Sequence, residues 1–307
     1  MKTLTVIIPA TDGRVTLERA VAAVQRADAP PEELIVIDQP TGLGPAAARN
    51  RGSHRARGDI LVFVDADVEV HEDSLTRIRS AFDRDPNLAA VFGSYDDDPD
   101  VDGVISDFRN LLHHHVHQQN AGYATTFWAG LGAIRRDVFL EAGGFDEERF
   151  TCSSIEDIEL GSRLHAGGSK LLLDPRIQGK HLKDWTLASM TKTDLIYRGV
   201  PWLRLVLERR SRPTALNLGW RHRVSSGASL LLLVGLMRRS SRLVVAMSAF
   251  LVALDWPFYK LLFRRRGLRL VAAAIPLHVI HRLTAVAAVP LALAGHVLAK
   301  RRARQRS

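Results

Sequence analysis

Short apolar runs, each followed by a polar segment of helical period, fill the first part of this chain. Leu4–Ile8 is a run of buried-strand type that stops at Pro9. Glu33–Ile37 is a second run, ending in Asp38, and Ile60–Val64 is a third, closed by Asp65-Ala66-Asp67. Leu88–Phe92 is a fourth. Between them, 14–26, 46–56 and 74–83 place apolar residues at helical spacing, with Gly42, Gly44 and Pro45 as turn residues and Asp73 or Ser74 as a cap. This βαβαβαβ alternation predicts an α/β domain with a mostly parallel sheet covered on both faces. Further on, the pattern predicts helices over 106–119, 136–142, 155–166 and 182–197, and strands over 127–134 and 170–173.

The pattern changes near Arg223. Apolar stretches 224–237, 243–263 and 268–299 follow, separated by Arg238-Arg239 and Arg264-Arg265-Arg266 and ended by Lys300-Arg301-Arg302. The first is short for a membrane span; the other two are long enough, although Asp255, Pro257, Pro276 and Pro290 interrupt them. The division expected is therefore a folded domain over 1–220 and a membrane-embedded helical region with a basic tail over 221–307. The positive-inside rule puts Arg264–Arg266 and Lys300–Arg306 on the side of the folded domain, which asks 268–299 to enter and return as a hairpin.

Charge sharpens this division. The 307-residue chain carries +9 overall, but residues 1–180 hold 19 Lys/Arg against 29 Asp/Glu, whereas 181–307 hold 23 against 4. The basic residues punctuate apolar stretches instead of forming one stripe, which argues against a nucleic-acid partner and for a membrane. One cysteine, Cys152, excludes an intramolecular disulfide and fits a reducing compartment. Met1-Lys2 leads directly into a strand, so the folded domain is expected on the cytoplasmic side of the cell membrane.

The candidate chemistry lies at strand ends. In open α/β sheets ligands bind at the carboxyl edge. Asp65 and Asp67, delivered there by a buried strand, can hold a divalent metal, and a metal there can hold a diphosphate. Asp38 ends the second strand in position to meet a nucleobase or ribose. Arg49-Asn50-Arg51-Gly52 lies on the helix feeding the Asp65 strand. Glu156-Asp157 opens a later helix, either as a dipole-stabilised pair or as a base within reach of an attacking hydroxyl. His113 and His117 share a helix face, without the Glu of a zinc-protease motif. Asp98-Pro99-Asp100-Val101-Asp102-Gly103 resembles the start of a calcium loop, but Arg109 stands where that loop needs a Glu. Gly42-Leu43-Gly44-Pro45-Ala46-Ala47 matches a loose dinucleotide fingerprint but follows the second strand rather than the first.

Val6-Ile7-Ile8-Pro9, Ala48-Arg49-Asn50-Arg51-Gly52, Val64-Asp65-Ala66-Asp67, Gly143-Gly144-Phe145-Asp146 and Glu156-Asp157-Ile158-Glu159-Leu160 follow one another in an order and spacing that resembles the family 2 glycosyltransferases, over about residues 3–185. The resemblance implies a GT-A fold and an inverting transfer from a nucleotide-diphosphate sugar to a hydroxyl. It further implies a donor site of Pro9, Asp38, Arg49 and Asp65, with Asp38 on the base and Asp65 on the ribose or sugar. Asp67 would ligate Mg²⁺ or Mn²⁺ on the diphosphate, with His181 as a further metal or phosphate contact, and Asp157 would be the catalytic base. Glu156 and Trp128 would lie on the acceptor side. The segments 108–119 and 180–185 look like a membrane-associated subgroup, which fits a lipid-linked or cell-envelope acceptor. The chain departs from the family at Pro9-Ala10-Thr11-Asp12 and at Gln39-Pro40, so the resemblance names no nucleotide. The competing readings are a non-catalytic membrane-anchored nucleotide-sugar-binding scaffold and a dinucleotide-dependent oxidoreductase.

Overall fold

A computed structural model describes residues 2–12, 15–209 and 219–306, with side chains as far as residue 298. The expected helix start at Arg14 lies outside these residues. The strands are β1 (Leu4–Pro9), β2 (Glu33–Ile37), β3 (Ile60–Val64), β4 (Val68–Val70), β5 (Leu88–Tyr95), β6 (Gly122–Ala124), β7 (Leu131–Arg135) and β8 (Lys170–His181). The helices are α1 (Leu17–Gln25), α2 (Pro45–Arg55), α3 (Ser74–Arg84), α4 (Val104–Gln119), α5 (Arg136–Glu141), α6 (Glu156–Ala166), α7 (Leu187–Lys192), α8 (Val200–Arg209), α9 (Trp220–Met237), α10 (Ser241–Leu254) and α11 (Trp256–Arg306). A π-helical segment, Thr193–Gly199, joins α7 to α8.

The chain forms two compact units, Met1–Val101 with His113–Asp184, and Asp102–Leu112 with Trp185–Ser307. The second unit thus takes in 185–209, ahead of the boundary expected near residue 220.

The first unit is built on one mixed sheet in the order β2-β1-β3-β7-β5-β8-β4, with β6 alongside β8. β1 lies parallel between β2 and β3, pairing Val6 with Leu34 and with Val62. β3 is buried at every position, which is why its sequence is a continuous apolar run and not an alternating one. Val62 and Val64 pack into a core with Val24, Ile78 and Phe82. Phe63, pointing the other way, meets Phe139 and Phe145 at ring-centroid distances of 5.5 and 5.3 Å.

The expectation of a mostly parallel sheet is corrected in its second half. β7 runs antiparallel between β3 and β5, and β8 pairs antiparallel with β4 and β6. The apolar run of a strand fixes that it is buried but not which neighbour it takes, and β4 and β6 are too short to display a period. β8 is also longer than its predicted four residues. Asp174-Pro175 reads as a turn, but in the sheet it is an irregularity: the pairing with β5 steps from Phe92–Leu173 to Ser94–Gln178 and then resumes.

The second unit is helical. Asp194 of the π-helical segment is buried between Arg109, 2.7 Å away, and His281, also 2.7 Å away. Asp107 pairs with Arg266 at 3.2 Å, and Phe108 packs on Phe258 and His278. Within α11 Gly267, at φ 72°, interrupts the helix, and the segment beyond it continues through Pro276 and Pro290. The hairpin expected within 268–299 is therefore not formed. Prolines persist in an apolar helix when neighbouring groups satisfy the freed carbonyls. Trp256–Leu298, 43 residues of which the most apolar 18-residue stretch has a mean hydropathy of 1.6, is long and apolar enough to cross a membrane, and only 33% of that stretch is buried.

Candidate active site

The carboxyl edge of the first unit's sheet gathers most of the residues singled out in the sequence. β1 and β2 end in register, Pro9 beside Ile37, so Asp38 projects one residue past the edge and is exposed. Asp65 and Asp67 leave β3 by different routes. The Asp65 amide donates to the Gly130 carbonyl at 3.0 Å, while the Asp67 carbonyl accepts from the Leu182 amide at 2.9 Å. Asp65 is thereby tied to the start of β7 and Asp67 to the end of β8.

Arg49 joins the acidic pieces. Gly52 gives α2 its seat, because a Cβ there would lie 2.5 Å from Ile7. From this helix Arg49 enters the interior, with only 5% of its side chain exposed, and donates to Asp65 Oδ1 at 2.7 Å and to Glu156 Oε1 at 3.0 Å. Burial by itself would lower the pKa of this guanidinium, but the carboxylates of Asp65, Glu156 and Asp157 more than offset it and hold the group charged. Its neighbour Asn50 pins the Gly143-Gly144-Phe145 turn, donating to the Phe145 carbonyl and accepting from the Phe145 amide, both at 2.9 Å. Gly144, at φ +68°, takes a conformation that an L side chain resists.

Helix α6 carries the second acidic pair. Gly161 lets it approach the backbone of Thr126 and Phe127 more closely than a Cβ would permit. Glu156 is buried, receiving the Ser154 amide at 2.8 Å as well as Arg49. Asp157 is half-buried; its Oδ2 accepts from the Ala129 amide at 3.1 Å and its Oδ1 from the Ile158 amide at 2.8 Å. Because Ala129 precedes the Gly130 that holds Asp65, the segment Trp128-Ala129-Gly130 links the two carboxylates. Gly130 leaves room for the Trp128 indole, which a Cβ would strike.

Antiparallel pairing sets Val68 opposite His181 and brings the His181 Nε2 to 3.6 Å from Asp67 Oδ2, both side chains being buried. The His181 ring stacks on Tyr95 at 4.0 Å with an interplanar angle of 9°. Tyr95 in turn packs edge-on against Trp128 at 4.9 Å and, tilted by 39°, against His113 at 4.3 Å. Sequence reasoning missed Tyr95, because the apolar run that marks the strand ends at Phe92 and the last residues of β5 lie beyond it. The cluster on α4 packs against this strand: His114 and His117 bond the carbonyls of Tyr95 and Gly93 through Nδ1, each at 2.9 Å. Among the described residues no group of three or more His, Cys, Asp or Glu converges as a metal site. The Asp67 carboxylate could hold a hard divalent cation, and the neighbouring His181 imidazole is a ligand that a transition-metal ion takes more readily than Mg²⁺. A surface groove of about 500 Å³, lined by Arg84, Tyr123, Asp174 and Arg176 among others, shares no residue with this constellation.

Residues 31–143 match the family model for glycosyl transferase family 2. This region is therefore similar to glycosyl transferase family 2. The match covers Asp38, Arg49, Asp65, Asp67 and Trp128, and ends before Asp157 and His181. The pre-mycofactocin glycosyltransferases of two Mycobacterium tuberculosis strains are 29% identical over 165 residues, which is 50% of this chain and 34% of theirs. The chain thus spans about a third of the length of these curated relatives. The transferase fold is shared with a mannosyltransferase from Pyrobaculum calidifontis, solved with GDP-Man and Mn²⁺, at a TM-score of 0.50 and 15% identity over 95% of this chain and 87% of that one. The mixed sheet described above is that of the GT-A transferases.

A histidine outside this constellation is expected to give the fold a pH dependence. His71, next to β4, bonds Asp96 beyond β5 at 2.9 Å, and this hydrogen bond raises its pKa above the ordinary 6.5. The raised value means that the folded state binds the proton more tightly than the unfolded one. The contribution is fully present below about pH 6.5 and is lost as pH rises through the folded value. His71→Gln is expected to lower Tm at mildly acidic pH and to match the parent at alkaline pH. Thermal unfolding of both proteins across that range checks it. The side chain is 40% exposed, so solvent screening keeps the effect small.

Proposed function

We propose that the domain transfers a sugar from a nucleotide-diphosphate sugar to a hydroxyl of a lipid-linked or cell-envelope acceptor, with inversion at the anomeric carbon. One observation carries this reading: Arg49 bonds Asp65 and Glu156 together, so the donor-side strand end and the helix bearing Asp157 form a single charged constellation at the carboxyl edge of the sheet.

In this scheme Asp38 and Pro9 flank the base and ribose, and Asp65, aligned by Arg49, meets the ribose or sugar. Asp67 and His181 would hold the divalent cation, Mg²⁺ or Mn²⁺, which when bound offsets the charge of the leaving diphosphate. Asp157 takes the proton of the acceptor hydroxyl. The oxygen bonds the anomeric carbon from the face opposite the diphosphate, the bond to the diphosphate oxygen breaks, and nucleoside diphosphate leaves with the electron pair. Trp128 presents an aromatic surface on the acceptor side, and Glu156 acts by positioning Arg49. The GDP-Man and Mn²⁺ bound by the Pyrobaculum mannosyltransferase and the glycosyltransferase activity named for the mycobacterial relatives support the donor class. The length and apolarity of α11 support a membrane location, with the transferase domain on the cytoplasmic face.

The test is a binding and turnover panel of UDP-, GDP- and dTDP-sugars with Mn²⁺ or Mg²⁺, alongside Asp67→Ala. The expected result is cation-dependent binding of one donor, lost in the variant, and a product of inverted configuration by NMR. Binding of no donor, together with an unaltered Asp67→Ala protein, overturns the proposal.

A further inference from the structure

Helices α9 and α10 form an antiparallel hairpin in the second unit. At its base Arg221 donates to the Leu254 carbonyl. Near its turn Gly235 sits so close to Leu243 and Val244 that a Cβ there would lie 3.2 Å from both. One side of the hairpin is ordinary core, where Ala228, Leu232 and Leu251 are buried together with Val279 of α11.

The other side inverts the pattern of a water-facing helix. After Arg242, the exposed positions of α10 recur at helical spacing as Val245, Ala246, Ala249, Phe250 and Ala253, all apolar. On α9, Leu230, Leu231 and Met237 are exposed in the same way. A helix apolar on its open face calls for an apolar medium. Charge narrows the choice of medium: residues 219–254 contain five arginines and no Asp or Glu, and Arg238, Arg239 and Arg242 are exposed at the turn.

Length decides the orientation. The 14 residues of α10 extend roughly 21 Å, against about 30 Å of bilayer hydrocarbon. The apolar part of α9, residues 224–237, is equally short. A hairpin set upright from its base would leave its three turn arginines near the bilayer centre, where charge is strongly disfavoured.

We propose that the α9–α10 hairpin lies in the interfacial plane of one leaflet without crossing. Its Leu230, Leu231 and Phe250 face enters the acyl chains, and Arg238, Arg239 and Arg242 engage the phosphates of anionic lipids. This contact is separate from the α11 span but rests on the reading of the chain as membrane-bound.

Nitroxide depth measurements on the full chain test it. Single cysteines replace Leu231, Phe250, Ser240 and, in α11, Val289, all in a Cys152→Ser background. The vesicles are phosphatidylcholine with or without phosphatidylglycerol. Labels at 231 and 250 are expected to be reached by oxygen and shielded from a nickel chelate, at a depth of about 5–10 Å below the headgroups, with the 240 label at headgroup level. A 240 label at the bilayer centre overturns the proposal. So do labels at 231 and 250 shielded from both reagents, with spin coupling that disappears on dilution with unlabelled chain, because a second copy would then cover this face. Shallow 231 and 250 labels with the 289 label outside the lipid support the hairpin and overturn the α11 span alone. Combined Arg238→Gln, Arg239→Gln and Arg242→Gln is expected to abolish any preference for phosphatidylglycerol; an undiminished preference overturns the anionic-lipid contact.

Discussion

Replacing Asp157 with Asn is expected to slow sugar transfer by about 10²–10⁴-fold while leaving donor binding nearly unchanged. The carboxylate is fixed from both oxygens by the Ala129 and Ile158 amides, so the amide side chain keeps its place but cannot take a proton. One of the two hydrogen bonds is sacrificed, because the Asn NH₂ cannot accept from a backbone N–H, and the accompanying loss of stability is small. The signature is a fall in kcat with donor affinity retained. It is read from nucleoside diphosphate release under single-turnover conditions, with the donor that the binding panel identifies. Loss of donor affinity in step with turnover would place Asp157 in the donor site, and full activity would exclude it as the base.

The largest effect on stability is expected at Arg49. Arg49→Met leaves Glu156 buried without its counter-ion and removes the clamp on Asp65, at a cost of about 3–5 kcal/mol. Arg49→Lys does not rescue it, because one ammonium cannot reproduce the fork that reaches both carboxylates. Adding Glu156→Gln to Arg49→Met removes the stranded charge and is expected to recover part of the loss. Denaturant unfolding of the parent, the two single variants and the double variant measures this coupling as a cycle. Additive effects within about 0.5 kcal/mol would show that the two side chains do not depend on each other. A stable Arg49→Met protein would remove Arg49 as the element holding the site together.

Much of the candidate site can be read from the chain because strand ends are local features. The buried runs that end at Pro9, Asp38 and Asp65 mark the carboxyl edge of the sheet before any pairing is known, and acids at such an edge are placed for a ligand. Arg49 is recognisable as part of a motif, but its role is not. As a free donor contact it would face outward, whereas in the fold it is buried between two carboxylates. Glu156 changes meaning in the same way, from an acceptor-side acid to a partner of Arg49. His181 lies beyond a stretch that reads as a turn, and only the resumed pairing of β8 brings it to Asp67.

The sequence by itself determined the alternation of buried strands and helices, the acids at the strand ends, the change to a basic apolar region and the order of the motifs. Each of these depends on residues close together in the chain, where periodicity and turn chemistry act. The tertiary structure alone decided which strands are neighbours, which carboxylates Arg49 neutralises, how Tyr95 and Trp128 pack beside His181, and that residues 268–298 continue as a single helix. These outcomes depend on contacts between residues far apart in sequence, and no local pattern encodes the partner that a buried charge or a strand edge will find.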